Sequence, residues 1–297
     1  MNAEEHVDAP AGGVGDTPAL RLGWTVGLLV AGALLLALTF VRPPSLEIGG
    51  AWAFLAVAAM AFVAEYVDSS LGMGYGTTLT PLLMIVGFSP LQIVPAVLLS
   101  EFFTGISAGV LHHTFGNVDF RRDTRAWRTA WILAGCSIVG TLAAVALAVN
   151  LPKETVRLYI GLMVLAEGLF IILARRGIGG FSWAKIVGLG TVAAFNKGLS
   201  GGGYGPLLTG GQVLAGVPGR SAIGITSLAE GLVCFAGLGA YLALGKSFDW
   251  SLVVPLVVGA MASVPAAAFT VRLLPEAVLR RSIGYATAFL GILTLIR

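Results

Sequence analysis

Two stretches decide how this chain is read: Asp68-Ser-Ser-Leu-Gly-Met-Gly-Tyr-Gly-Thr-Thr (68–78) and Asn196-Lys-Gly-Leu-Ser-Gly-Gly-Gly-Tyr-Gly-Pro (196–206). Both are rich in glycine, and both interrupt apolar sequence, 51–67 and 77–88 around the first and 183–195 and 206–217 around the second. A helix rises about 1.5 Å per residue and a bilayer core is about 30 Å thick, so these four segments are too short to cross comfortably. Each pair is expected to form the two arms of a hairpin broken inside the membrane. Backbone released from helical bonding at that depth has to face protein or a wet cavity, so both breaks should point inward.

The remainder of the chain supports a membrane setting. Of 297 residues, 57% are hydrophobic and only 11% charged, whereas a soluble domain carries roughly 25% charged residues. Further apolar segments lie at 92–113, 130–149, 154–174, 221–244, 250–271 and 276–296. The expected fold is an all-α integral membrane protein. Residues 1–20 read as a flexible cytoplasmic tail, 21–41 as a leading transmembrane helix, 50–175 as a first transmembrane repeat and 182–297 as a second. The net charge of +3 does not point to nucleic acid, because Lys and Arg sit singly or in short clusters between apolar runs. Cys136 and Cys234 lie far apart in apolar segments with no metal-ligand spacing, so small buried side chains are expected there and no metal or other cofactor.

The two repeats are visible directly. A shift of 129 positions places Gly72, Gly74, Tyr75, Gly76, Leu79, Thr80, Gly87, Leu99 and Glu101 on Gly201, Gly203, Tyr204, Gly205, Leu208, Thr209, Gly216, Leu228 and Glu230. With the N-terminus cytoplasmic and each hairpin returning to its own side, twelve basic residues fall inside and five outside, which obeys the positive-inside rule. The basic loop 114–129 is then inside and its counterpart 245–249 outside, so the repeats are expected to be inverted. Inverted repeats built around broken helices are characteristic of secondary transporters, with the substrate site at the repeat interface.

The candidate chemistry gathers at the breaks. The second arm of each hairpin begins with N–H groups that lack intrahelical partners and with the positive end of a helix dipole, and two such tips meeting would attract an anion. Lys197, the one basic residue placed inside the membrane, could hold an anionic substrate; its repeat mate Asp68 could instead pair with it. Substrate-binding candidates are Lys197, Asn196, Ser70, Gly74, Tyr75, Thr77, Ser200, Gly203 and Tyr204. Any single hydroxyl among them is more readily explained as a helix cap or backbone partner. Glu101 and Glu230 are repeat mates whose burial would be expensive, and with Asp68 and Glu65 they are the proton-coupling candidates; helix-to-helix hydrogen bonding is the competing reading. Glu167 has no repeat mate and is expected to be structural or at the lipid interface. His112 and His113 are expected to pack at a membrane edge. There is no H-E-x-x-H and no G-x-S-x-G between strand and helix, so an enzyme is not expected.

The run Leu199-Ser-Gly-Gly-Gly-Tyr-Gly-Pro-Leu, the following Arg220-Ser-Ala-Ile-Gly-Ile-Thr, the duplicated break and the basic loop between repeat helices together resemble the sulfite exporter TauE/SafE family, also called the toluene sulfonate uptake permease family. The resemblance covers about residues 50–297, and the first break departs from a continuous glycine run. It implies a multi-pass carrier of the bacterial cell inner membrane that exports sulfite or a small organosulfonate such as sulfoacetate. The expected partners are the anion, protons and the lipid bilayer, with a homodimer open. A membrane-embedded assembly subunit and a passive anion channel are the alternatives. On the sequence reading, Lys197→Ala should abolish anion binding in a protein that still folds and inserts.

Overall fold

Gly72 and Gly201 end the first arm of each hairpin in the computed structural model, which describes residues 51–173, 182–215, 217–271 and 276–296. The expected tail, the leading helix and the basic residues Arg175, Arg176 and Arg272 lie outside the described residues. The elements in order are α1 (Ala51–Leu71), α2 (Tyr75–Val86), α3 (Pro90–Thr114), α4 (Thr124–Asn150), α5 (Lys153–Leu173), α6 (Trp183–Ser200), α7 (Tyr204–Leu214), α8 (Gly219–Ala243), α9 (Trp250–Thr270) and α10 (Glu276–Ile296). Six of them, α1, α3, α4, α5, α8 and α9, are long and apolar enough to cross a membrane.

Both breaks are present and both are tighter than the sequence suggests. Only Gly72-Met73-Gly74 separates α1 from α2, and only Gly201-Gly202-Gly203 separates α6 from α7. Gly72 (φ +71°) and Gly201 (φ +76°) take the left-handed conformation that a side chain disfavours. Their N–H groups close the preceding helices onto the carbonyls of Asp68 (2.6 Å) and Lys197 (2.8 Å), which are repeat mates. The first arms are therefore longer than their apolar runs. α1 has 21 residues, about 31 Å, because the helix continues through the polar stretch Asp68-Ser-Ser until the first glycine stops it. The second arms stay short, with 12 residues in α2 and 11 in α7.

The two hairpins open at opposite ends of the bundle. Gln92, in the first turn of α3, donates to Asp249 in the α8–α9 turn (3.0 Å), so the end of α2 lies at that end. Ser221, in the first turn of α8, donates to the Asn117 carbonyl beyond the far end of α3 (3.3 Å), so the end of α7 lies at the other. The helix packing also exchanges under the 129-residue shift. α1 packs on α9 as α6 packs on α4, while α3 packs on its own mate α8 and α5 on its own mate α10. At these contacts the backbones nearly touch: a methyl group on Gly259 would meet the Ala58 carbonyl, and one on Gly140 the Thr191 carbonyl. Small residues at helix crossings let dispersion contacts form where no hydrophobic gain is available between helices in lipid.

What the bundle leaves outside is apolar. Val139, Leu142 and Leu147 on α4, Leu158, Leu162 and Leu169 on α5, and Phe235 and Leu242 on α8 are exposed. With spans of this length and hydropathy, such exposed apolar side chains face lipid. The interior, by contrast, holds the charges: Glu65, Asp68, Glu101, Glu167, Lys197 and Glu230 are all buried. This inversion of the soluble pattern makes the protein a multi-pass membrane protein.

Candidate functional site

The ammonium of Lys197, in the last turn of α6, lies between the two repeat-mate carboxylates. It is ion-paired with Glu101 of α3 and with Glu230 Oε1 of α8 at 2.7 Å. Lys197 is 1% exposed, so the charges meet away from water. The sequence offered Asp68 as its partner; the ion pairs formed are with Glu101 and Glu230. The reason is geometric. α3 and α8 pack on each other through Gly105 and Gly231, which brings equivalent positions of the two repeats close together, and the end of α6 reaches both.

Asp68 has a different task. Its Oδ1 accepts the backbone N–H of Tyr75, the first residue of α2, at 3.3 Å. A carboxylate at a helix N-terminus satisfies an unpaired donor and complements the dipole. Glu65 accepts the Ser69 hydroxyl at 2.6 Å through Oε1, and its Oε2 has no hydrogen-bond partner. His112, expected at a membrane edge, is wholly buried, with Nε2 2.8 Å from the Ser69 carbonyl and Nδ1 2.9 Å from the Asn117 amide. Cys234 is buried as expected, while Cys136 is half-buried, and both are free thiols.

The hydroxyls mostly serve backbone. Ser70 donates to the Tyr66 carbonyl within its own helix. Ser200 donates to the Asn196 carbonyl (2.7 Å) and accepts from Gly202 N (3.1 Å), bracing the second break from inside. The phenols are buried and tied to the bundle: Tyr75 to Ser100 at 2.8 Å and Tyr204 to Ser137 at 3.4 Å. Asn196 accepts from the Tyr159 hydroxyl of α5. The two breaks are also joined to each other. Gly203 N donates to Thr77 Oγ1 of α2 at 3.3 Å, and Thr209 of α7 donates to the Gly72 carbonyl at 2.8 Å. A methyl group on Gly76 would fall on the Gly201 carbonyl, and one on its mate Gly205 on the Gly72 carbonyl. The loops thus cross backbone against backbone.

Glu167, read from the sequence as structural or at the lipid interface, does not lie at the interface. It is 5% exposed, and Oε1 lies 2.5 Å from where a methyl group on Gly203 would stand, with the Thr77 hydroxyl alongside. A carboxyl in the middle of the apolar run 154–174 was the available signal, since such a group is too costly to leave facing lipid. The lack of a repeat mate hid it.

A lipid-facing bundle whose polar groups converge on two broken hairpins defines a membrane transporter. The comparisons agree: the chain belongs to the sulfite exporter TauE/SafE family, whose profile matches residues 56–294. It is 28% identical over 225 residues to the probable membrane transporter protein YtnM of Bacillus subtilis (strain 168), covering 71% of this chain and 72% of that one. No solved structure gives a significant match.

Proposed function

We propose that the protein is a secondary transporter that exports a small sulfur oxyanion, sulfite or an organosulfonate such as sulfoacetate, across the bacterial inner membrane by alternating access coupled to protons. The observation that carries this reading is the Lys197 ammonium shared by Glu101 and Glu230 beside the two breaks. A sulfonate needs several hydrogen-bond donors and one unit of neutralisation, and one buried cation with unwound backbone nearby supplies that chemistry. The two hairpins, opening at opposite ends, are the elements whose exchange of exposure would carry the site from one side to the other, as inverted repeats do.

Coupling follows from charge balance. An anion approaching Lys197 also approaches two carboxylates. Like charges about 4 Å apart repel by about 4 kcal/mol even at an effective dielectric of 20, nearly three decades in affinity. A proton accepted by Glu101 or Glu230 removes one of the two repulsions and releases the ammonium from that partner, so proton and anion are taken up together. The test is flux in reconstituted vesicles offered sulfite, sulfoacetate, taurine and sulfate at a series of pH values. Saturable flux of one of them, rising as pH falls, is expected. Glu101→Gln and Glu230→Gln should each flatten that rise; a pH dependence equal to wild type in both removes the pair from the coupling mechanism.

A further inference from the structure

The two breaks are not equivalent as anion sites. At the first, the N-terminus of α2 is already occupied by a carboxylate of the protein, since Asp68 Oδ1 accepts from Tyr75 N. At the second, the residue in the position of Asp68 is Lys197, which cannot accept a hydrogen bond, and Gly203 offers α7 no side-chain cap. The 11-residue helix α7 therefore presents its positive end without the carboxylate that its mate possesses. A second observation points into the same place. The Glu167 carboxyl, on α5, abuts Gly203 at the head of α7; the Thr77 hydroxyl beside it is engaged by Gly203 N, and among the described residues neither carboxyl oxygen completes a hydrogen bond. A buried carboxyl is seldom left unbonded, and such a group signals an absent ligand or a proton.

We infer that the transported oxyanion binds at the start of α7 alone, and that Glu167, carrying a proton, donates a hydrogen bond to it. Ionised, the carboxylate repels the anion and fills the tip in its place; protonated, it adds a donor to the N–H groups of the helix. The proton is held on a carboxyl oxygen and travels with the anion, so no bond other than the O–H is made or broken. The inference rests on the anion-transport reading above and narrows it to one half of the molecule. The titratable groups that act on Glu167 are Lys197 on α6, Glu230 on α8 and Tyr159 on its own helix; the helices packed on α5 also carry Tyr75 (α2), Glu101, His112 and His113 (α3), Lys185 (α6), Tyr204 (α7) and Glu276, Arg280, Arg281 and Tyr285 (α10). Lys197 is engaged by the two glutamates, and among the described residues no cation forms an ion pair with Glu167.

The probe is methanesulfonate, whose charge does not change over the working pH range, and binding to the purified full chain is measured calorimetrically in two buffers of different ionisation enthalpy. Wild type should take up protons on binding, and Glu167→Gln, which keeps a donor but cannot titrate, should take up about one fewer. Its dissociation constant should vary about tenfold less per pH unit than that of wild type. A Glu167→Gln protein with the wild-type pH slope overturns the assignment. So does wild-type binding without proton uptake, a result that needs no variant and holds even if Glu167→Gln fails to fold. Absence of binding of methanesulfonate, sulfite and sulfoacetate by wild type at every pH overturns the anion reading itself, a different failure from an unchanged slope.

Discussion

Replacement of Gly76 by alanine is expected to abolish recovery of folded protein. The added methyl group would stand on the Gly201 carbonyl oxygen and within 2.9 Å of Gly202 Cα, so the collision is with backbone on both sides and no side chain can rotate away. Overpacking against flexible side chains costs typically 1–3 kcal/mol, and a clash between two fixed loops should exceed about 3 kcal/mol. The same argument applies to Gly205, which faces the Gly72 carbonyl. Gly188 and Gly239 are the controls: both are helical with nothing within 4 Å of an added methyl group, and alanine there should be neutral or gain up to about 1 kcal/mol from helix propensity. Size-exclusion profiles of detergent extracts separate these outcomes. A monodisperse, normally abundant Gly76→Ala protein would mean that the two breaks do not cross as described.

Lys197→Met is expected to destabilise the protein by about 3–5 kcal/mol, the range for removing one partner of a buried ion pair. The sequence alone suggested that removing this charge would abolish anion binding in an otherwise intact fold. The structure changes that expectation, because Glu101 and Glu230 are both paired to Lys197 and would be left buried without a counter-ion. The triple variant Lys197→Met/Glu101→Gln/Glu230→Gln removes all three charges and should recover most of the loss while transporting nothing. Thermal unfolding in detergent measures the first effect and vesicle flux the second. If the single variant melts like wild type, or the triple variant is no more stable than the single, the three groups are not energetically coupled.

Much of this was legible in the linear chain because membranes impose a strict rule. Continuous apolar runs of about 20 residues had to be read as helix, since a single segment satisfies its own backbone hydrogen bonds in lipid only as a helix. A barrel strand is about half that length and alternates. The breaks were legible because glycine tolerates the positive φ that ends a helix abruptly, and their duplication marked them as a pair. Their extent was not legible. Polar residues such as Asp68, Ser69 and Ser70 were read as part of the break, yet they remain helical, because helix polarity does not end a helix when the polar groups are buried against protein.

The repeat alignment also guided and misled the reading of individual residues. It singled out Glu101 and Glu230 as repeat mates, and the structure brings both to Lys197, where the alignment had suggested Asp68 as the partner. It gave no weight to Glu167, whose place beside the head of α7 comes from the packing of α5.

By itself the sequence determined the all-helical membrane fold and the positions of the two helix breaks, because these follow from local hydropathy and glycine conformation, and its motifs carried the resemblance to the family. Only the tertiary structure decided which charges meet and which helix tip receives a carboxylate oxygen. Those depend on contacts between residues far apart in the chain, and in a low-dielectric interior a few ångströms decide whether a carboxylate is a counter-ion or a helix cap.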